Sequence, residues 1–423
     1  MLARRIPRAL AAARTSSVAP RLSQIRWAST DSAKPLRRTG LYNFHVENGA
    51  KMVPFAGYEM PLTYSGVGQV DSHKHVRSSV GLFDVGHMVQ HYFRGAGATR
   101  FLEWLTPSDL NSLPNHSSTL SVLLLPSGGI LDDTVVTKHT PDLYYVVTNA
   151  GRREEDLTWF ASKLKEWNEK HGDKVEHQIL EDWGLVALQG PKSADYLQGF
   201  VDTYDGKQYD LKQLTFGKSA WLSIGGVKVH VARGGYTGED GFEISLPPSE
   251  TVAWTRKLYK FPVQLAGLAA RDSLRLEAGL CLYGNDLDES TSPVEAGLTW
   301  VIGKNRRTPG DDKASFIGAD AVISQIEKGV SRKRVGFLVE GPPAREHAPL
   351  FAPSSSEQIG EVTSGIPSPS TGKNIAMGYI ATKYSKRDTE VEVEVRGKRR
   401  KAKVTKMPFV PTNYWRGEGV LKQ

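Results

Sequence analysis

Two apolar runs, Leu120–Leu125 and Ile130–Thr137, are separated only by Pro126-Ser127-Gly128-Gly129. That turn chemistry sends the second run back antiparallel beside the first. A parallel neighbour needs a crossover of about a dozen residues, which this spacing cannot hold. A third run, Leu143–Thr148, is rich in Val and Tyr and ends at Asn149-Ala150-Gly151, which reads as a third strand. Further along, Val391-Glu392-Val393-Glu394-Val395 alternates strictly, turns at Arg396-Gly397-Lys398 and continues through Ala402–Met407. This is a second hairpin, with one buried face.

Helices lie between such strands. Glu154–Lys170 places Leu157, Phe160, Leu164 and Trp167 on one face, with acids at its start and His171-Gly172 at its end. Asp71–Ser79 and Ala269–Glu277 read as further helices, Val80–Val85 as a turn and short strand, and Leu185–Leu188 as a short apolar strand. Irregular alternation with tight Gly turns predicts an α+β fold rather than a doubly wound parallel sheet. At 423 residues the chain exceeds one compact core, so two or three domains are expected. Composition turns polar and Gly/Pro-containing after Asn305 and Pro/Ser-rich over residues 341–356, ahead of a small all-β domain.

The formal net charge of +8 would suit a nucleic-acid binder, but its distribution argues otherwise. Arg4, Arg5, Arg8, Arg14, Arg21 and Arg26 supply six of those charges, and the first carboxylate is Asp31. An Arg-rich, Ala/Ser-rich, acid-free leader is the composition of a mitochondrial transit peptide, with cleavage expected near Arg26-Trp27-Ala28. A location in the mitochondrial matrix is therefore expected, with no nucleic-acid partner. No apolar stretch approaches the ~20 residues of a membrane span, so no membrane association is expected. One cysteine, Cys281, excludes an internal disulfide framework. Its apolar neighbours point to packing rather than reactivity.

Cofactor motifs are missing. Gly95-Ala96-Gly97 lacks the third glycine of a dinucleotide fingerprint, and Gly372-Lys373-Asn374 lacks the Walker spacing. His73/His75 and His87/His91 could bracket a metal, but no third ligand accompanies them, and surface or packing roles are the better account. Neither a metal nor a nucleotide is expected. Three segments remain. In Asp132-Asp133 one carboxylate of a strand can face inward and its neighbour outward, and turn-capping suits the pair as well as catalysis. Gly234–Glu243 sets Tyr236 and three acids in a Gly-rich turn, where a decorated hairpin is the plain account. Arg271 and Arg275 lie one helical turn apart, as in a salt-bridged surface.

In this order, these segments resemble the aminomethyltransferase (T-protein) family of the glycine cleavage system. The likeness runs through Val46–Pro61, Gly81–Met88, the paired aspartates, Tyr236–Gly241 and Ala270-Arg271-Asp272. It continues in Thr363–Pro369, Ile375–Tyr379 and Met407–Thr412, covering nearly all of Leu41–Tyr414. It implies a folate-binding body of two discontinuous α+β lobes (29–305), a connector (306–330) and a C-terminal β-barrel (331–423) behind a leader of residues 1–28. It also implies transfer of a one-carbon unit from the aminomethyl-dihydrolipoyl arm of H-protein to tetrahydrofolate, releasing ammonia and forming the 5,10-methylene compound. Partners would be H-protein and the other glycine cleavage system components, and tetrahydrofolate the co-substrate.

On this resemblance Asp133 matches the catalytic aspartate, with Asp132 its rival. Glu243 matches the pterin-binding glutamate and Arg271 a folate-contacting arginine. Tyr414 would bring the tail of the barrel back to the cleft, Tyr236 would supply an aromatic wall, and Asn149 would line the site. The chain departs from the family at Gly86, where serine is common, and in a longer tail after Tyr414. Two rivals stand beside this reading. A flavin-dependent demethylating enzyme lacks its flavin fingerprint here. A folate-binding iron–sulfur assembly scaffold would carry Lys-Gly-Cys where this chain has Arg233-Gly234-Gly235.

Overall fold

A computed structural model of the chain describes residues 35–308, 310 and 315–418. The expected leader, residues 1–28, lies outside these. Three β units carry the architecture. A six-stranded sheet runs in the order Ser219–Ile224, Val227–Arg233, Gly241–Leu246, Gly184–Gln189, Val80–Asp84, Val263–Leu265, and only its last pair is parallel. An antiparallel five-stranded sheet follows the order Ser117–Leu124, Ile130–Thr140, Leu143–Thr148, Val89–Arg94, Glu176–Ile179. A closed six-stranded barrel occupies the C-terminal part.

The hairpin expected at Pro126–Gly129 forms, with Val122 opposite Asp133 and Leu123 opposite Asp132. Gly128 turns the chain at φ +85°, and a Cβ at Gly129 would collide with the Glu289 carbonyl. Glycine there lets the 288–291 segment press close enough for the Ile130 N–H to reach the Thr291 carbonyl at 2.9 Å. The return strand is longer than its apolar run suggests, reaching Thr140, because Lys138 is buried and donates to the carbonyls of Leu110 and Asn111.

The chain enters the six-stranded sheet at Val80–Asp84, crosses into the five-stranded sheet, and returns at Gly184–Gln189. Phe83, Leu185 and Ala187 from the first sheet share one buried cluster with Tyr92, Tyr145 and Val147 from the second. Burial of such side chains contributes roughly 1.5–3 kcal/mol each, so this seam holds the two sheets in a fixed relation. In the barrel, Val391, Val393 and Val395 point inward as their alternation predicts. Arg332–Val339 closes the cylinder by pairing with both Asn374–Ala381 and Lys398–Thr405. Residues 306–330 contain a helix, Ala319–Lys328, whose Val322 and Ile323 pack with Val122, Leu124 and Ile130. Among the described residues no helix is long and apolar enough to cross a membrane.

The helix Leu268–Glu277 joins all three units and corrects the surface reading of its charges. Arg275 is 3% exposed and pairs with Asp286, which is fully buried, at 2.5 Å. It also donates to Ser364 Oγ of the barrel at 2.8 Å. Glu277 accepts from Arg77 at 2.8 Å and from the hydroxyls of Ser368 and Ser370. Buried charges need partners, and here those partners come from other lobes.

Candidate active site

The strand Ile130–Thr140 presents Asp132 and Asp133 at the point where Leu143–Thr148 gives way to Asn149. Alternation decides their exposure, leaving Asp132 fully buried and Asp133 half-buried. The Asn149 side-chain amide bridges them, donating to Asp132 Oδ1 and to Asp133 Oδ1, each at 2.8 Å. Its backbone N–H donates to Asp132 Oδ2 at 2.9 Å. Burial pushes the Asp133 carboxyl up to about 7, the Asp132 charge adds to the rise, and the Asn149 amide opposes it. A carboxyl poised near neutrality can exchange a proton at working pH.

Facing this group is the loop between Val227–Arg233 and Gly241–Leu246, which is a hairpin with chemistry on it. Tyr236 is close enough for Asp133 to affect its hydroxyl, and burial raises that hydroxyl strongly. The hydroxyl donates to the Cys281 carbonyl. The Arg271 guanidinium lies 4.6 Å from the Tyr236 ring centre, a cation–π contact. Glu243, on the adjoining strand, and Arg271 are half-buried and interact electrostatically. Burial raises the Glu243 carboxyl and Arg271 partly offsets this, while burial lowers Arg271 against the pull of Tyr236 and Glu243. Neither charged group makes a hydrogen bond to the described protein.

Asp133, Asn149, Tyr236, Glu243 and Arg271 therefore share one neighbourhood. Tyr414 sits apart from it. Its ring stacks on Phe216 with centres 4.1 Å apart, and the charges around it are Arg77, Arg416 and Glu239. Next to it, Asn413 donates to Gly238 and Glu239, which moors the tail on the loop that carries Tyr236.

Two further buried groups lie beside these residues. His87 is buried against Phe55 and Tyr58, its Nδ1 has no hydrogen-bond partner, and burial with the nearby Arg271 charge lowers it to about 4. Asp156, read as one of the acids at a helix start, is fully buried beside Asp132. Its place behind the paired aspartates depends on how the helix Arg153–Lys170 packs, which leaves no local signature. His73 and His75 serve packing, bonding to Ser273, Ser370 and the Pro262 carbonyl. Among the described residues no three metal-binding side chains cluster. Cys281 packs against the cluster of Val122, Leu124 and Ile130, and burial lifts its thiol to about 12. A cavity of about 250 Å³ opens elsewhere, lined by Arg37, Asp84, Gln90, Arg153 and Trp183, and touches none of the site residues.

Residues 41–306 match the GCVT N-terminal domain, and residues 332–411 match the glycine cleavage T-protein C-terminal barrel domain. The chain is 47% identical over 382 residues to the mitochondrial aminomethyltransferase of Homo sapiens, covering 90% of this chain and 91% of that protein. It is 44% identical over 392 residues to the probable mitochondrial aminomethyltransferase of Schizosaccharomyces pombe, covering 92% and 97%. The crystal structure of glycine cleavage system aminomethyltransferase T from Bartonella henselae superposes with a TM-score of 0.81 at 39% identity, over 90% of this chain and 99% of that one. These likenesses leave the iron–sulfur scaffold reading without support. The chain belongs to the aminomethyltransferase (T-protein) family of the glycine cleavage system, in its mitochondrial branch.

Proposed function

We propose that tetrahydrofolate binds between Glu243, Arg271 and Tyr236, and that Asp133 handles the proton of the attacking folate nitrogen. The observation that carries this reading is the Glu243 carboxylate. It is half-buried, raised by its surroundings, and accepts no hydrogen bond from the described protein. A carboxylate kept in that state suits a flat ligand edge with two N–H donors, which a pterin's amino group and ring N–H supply. Arg271 offsets the charge and can donate to the pterin carbonyl, and the Tyr236 ring offers a flat wall.

The transfer exchanges one C–N and one C–S bond of the aminomethyl thioether for two C–N bonds to folate. Two folate N–H protons are released, one leaving on ammonia and the other on the dihydrolipoyl sulfur. Asp133, ionised, accepts the first of these as the nitrogen attacks the methylene carbon. Being near neutrality, it can then hand that proton to a departing group. A positioned acid–base group supplies roughly 10²–10⁴ in rate. Asn149 holds the carboxyl in place, and His87, neutral beside Arg271, adds no charge to the pocket.

The carbon donor is the lipoyl arm of H-protein, and other glycine cleavage system components are the further partners. Calorimetric titration of the protein with tetrahydrofolate, followed by ammonia release on adding aminomethyl-loaded H-protein, tests the whole reading. Binding with release supports it. Release without any saturable folate binding would sink the pocket assignment, and binding without release would sink the reaction.

A further inference from the structure

Behind Asp133 lies a second carboxyl pair. Asp156, on the helix Arg153–Lys170, is fully buried, and neither of its oxygens has a hydrogen-bond partner of good geometry. The groups facing it are the Asp132 carboxyl, the Thr148 hydroxyl and the charges of Arg152 and Glu155. Asp132 faces Asp156, Asn149, Asp133 and the Tyr283 hydroxyl. Two ionised carboxylates cannot share a dry site, because their repulsion there is little screened. A single proton between them removes the repulsion and gives Asp156 the donor it lacks.

The distribution of donors says where that proton belongs. Asp132 accepts two N–H groups from Asn149, which favours its charged form. Asp156 accepts none from an amide. The Thr148 hydroxyl and the Arg152 charge pull it toward ionisation, but Arg152 is already paired with Glu155 and Glu289. The two Asn149 donors therefore decide for charge on Asp132 and leave Asp156 neutral. On the far side, Thr148 Oγ1 lies 3.1 Å from His91 Nε2, and His91 Nδ1 lies 3.0 Å from His177 Nε2. Burial keeps both histidines neutral. With His91 protonated on Nε2 and donating to Thr148, the threonine hydroxyl is free to donate toward Asp156.

We propose that Asp156 is a positioning residue for the transfer reaction: it shares one proton with Asp132, and the single charge left on Asp132 locks the Asn149 amide against Asp133. The inference rests on the role given to Asp133 above and deepens it. Asn149 can hold both aspartates only while Asp132 stays an acceptor for two donors. Asp156, by carrying the proton, keeps it one. It also keeps a second negative charge away from Asp133, whose carboxyl already feels that of Asp132.

The test compares D156N, D156A and D133N of the full enzyme in the ammonia-release assay, recording kcat, the tetrahydrofolate KM and the pH profile. In D156N the side-chain amide donates to Asp132 as the shared proton does, so most of kcat is retained and the acid limb stays in place. In D156A the donor is lost. Here kcat falls about 10-fold or more, in line with displacement of a reacting group, while KM holds and the acid limb moves to higher pH because the Asp132 charge is no longer shared. If D156N is as impaired as D156A, or its acid limb moves to lower pH, the pair carried two charges and the proposal fails. D156A with normal kcat and an unmoved limb also overturns it. Should D156A not fold, the D156N profile alone decides. Undiminished turnover in D133N is a separate outcome, which would remove the role of Asp133 itself.

Discussion

The side-chain amide of Asn149 donates to Asp133 Oδ1 at 2.8 Å. A neutral donor thus holds a carboxyl that burial and a neighbouring aspartate push toward protonation. The bond stabilises the ionised form without cancelling its charge, so a base can survive in a dry site. Asn149→Ala removes this support. The acid limb of the activity profile should move to higher pH, with kcat down about 10-fold or more. A profile that stays in place would show that Asn149 does not tune Asp133.

Asp133 itself acts in its ionised form on this reading. Its raised value of about 7 makes the active fraction fall as pH drops through that point. Activity should therefore decline between about pH 8 and 6 through a single ionisation. Asp133→Asn should bind tetrahydrofolate normally by calorimetry and lose about 10²–10⁴ in turnover. Near-normal turnover would point to Asp132 or solvent as the base.

Glu243→Ala removes the acceptor for two ligand N–H groups. Hydrogen bonds to charged groups contribute about 1.5–3 kcal/mol, so tetrahydrofolate affinity should fall at least 10-fold, with the H-protein KM unchanged. Arg271→Ala leaves Glu243 unopposed and raises it further, so folate binding in that variant should weaken as pH falls. Titration calorimetry at two pH values checks both, and unchanged affinity would take these residues out of the pocket.

Glu277 predicts a stability effect away from the chemistry. Bonds from His73, Ser368 and Ser370 outweigh its burial and hold it down to about 2. Being depressed, it contributes stability above the unfolded value near 4.5, and that contribution is lost as pH falls toward 2. Glu277→Ala leaves Arg77 with Glu239 and His73 with Ser273 and Ser370. It removes the shared acceptor of Arg77, His73, Ser368 and Ser370, however, and should cost about 3–5 kcal/mol in chemical denaturation, with the barrel loosened first. A cost under about 1 kcal/mol would mean that Glu277 does not hold the barrel to the helix.

The alternating valines of 391–395, the turn at Pro126–Gly129 and the helix ending at Lys170 were legible in the sequence because strand period, turn chemistry and helix period are local properties. For the paired aspartates alternation told only that one faces inward and its neighbour outward; packing made Asp132 the buried one. Nothing local told Arg275 and Glu277 from surface charges, because a helix carries the same periodicity whether water or another lobe covers its charged face. Only the meeting of three units buried them. Asp156 reads in the chain as one acid in the first turn of a helix, where a negative charge is ordinary. Folding brings that turn behind a strand more than twenty residues earlier and turns a surface acid into the partner of a buried one. Local pattern set which elements form and which side chains they carry. Tertiary packing set which charges lose water, and that loss is what raises the Asp133 and Glu243 carboxyls.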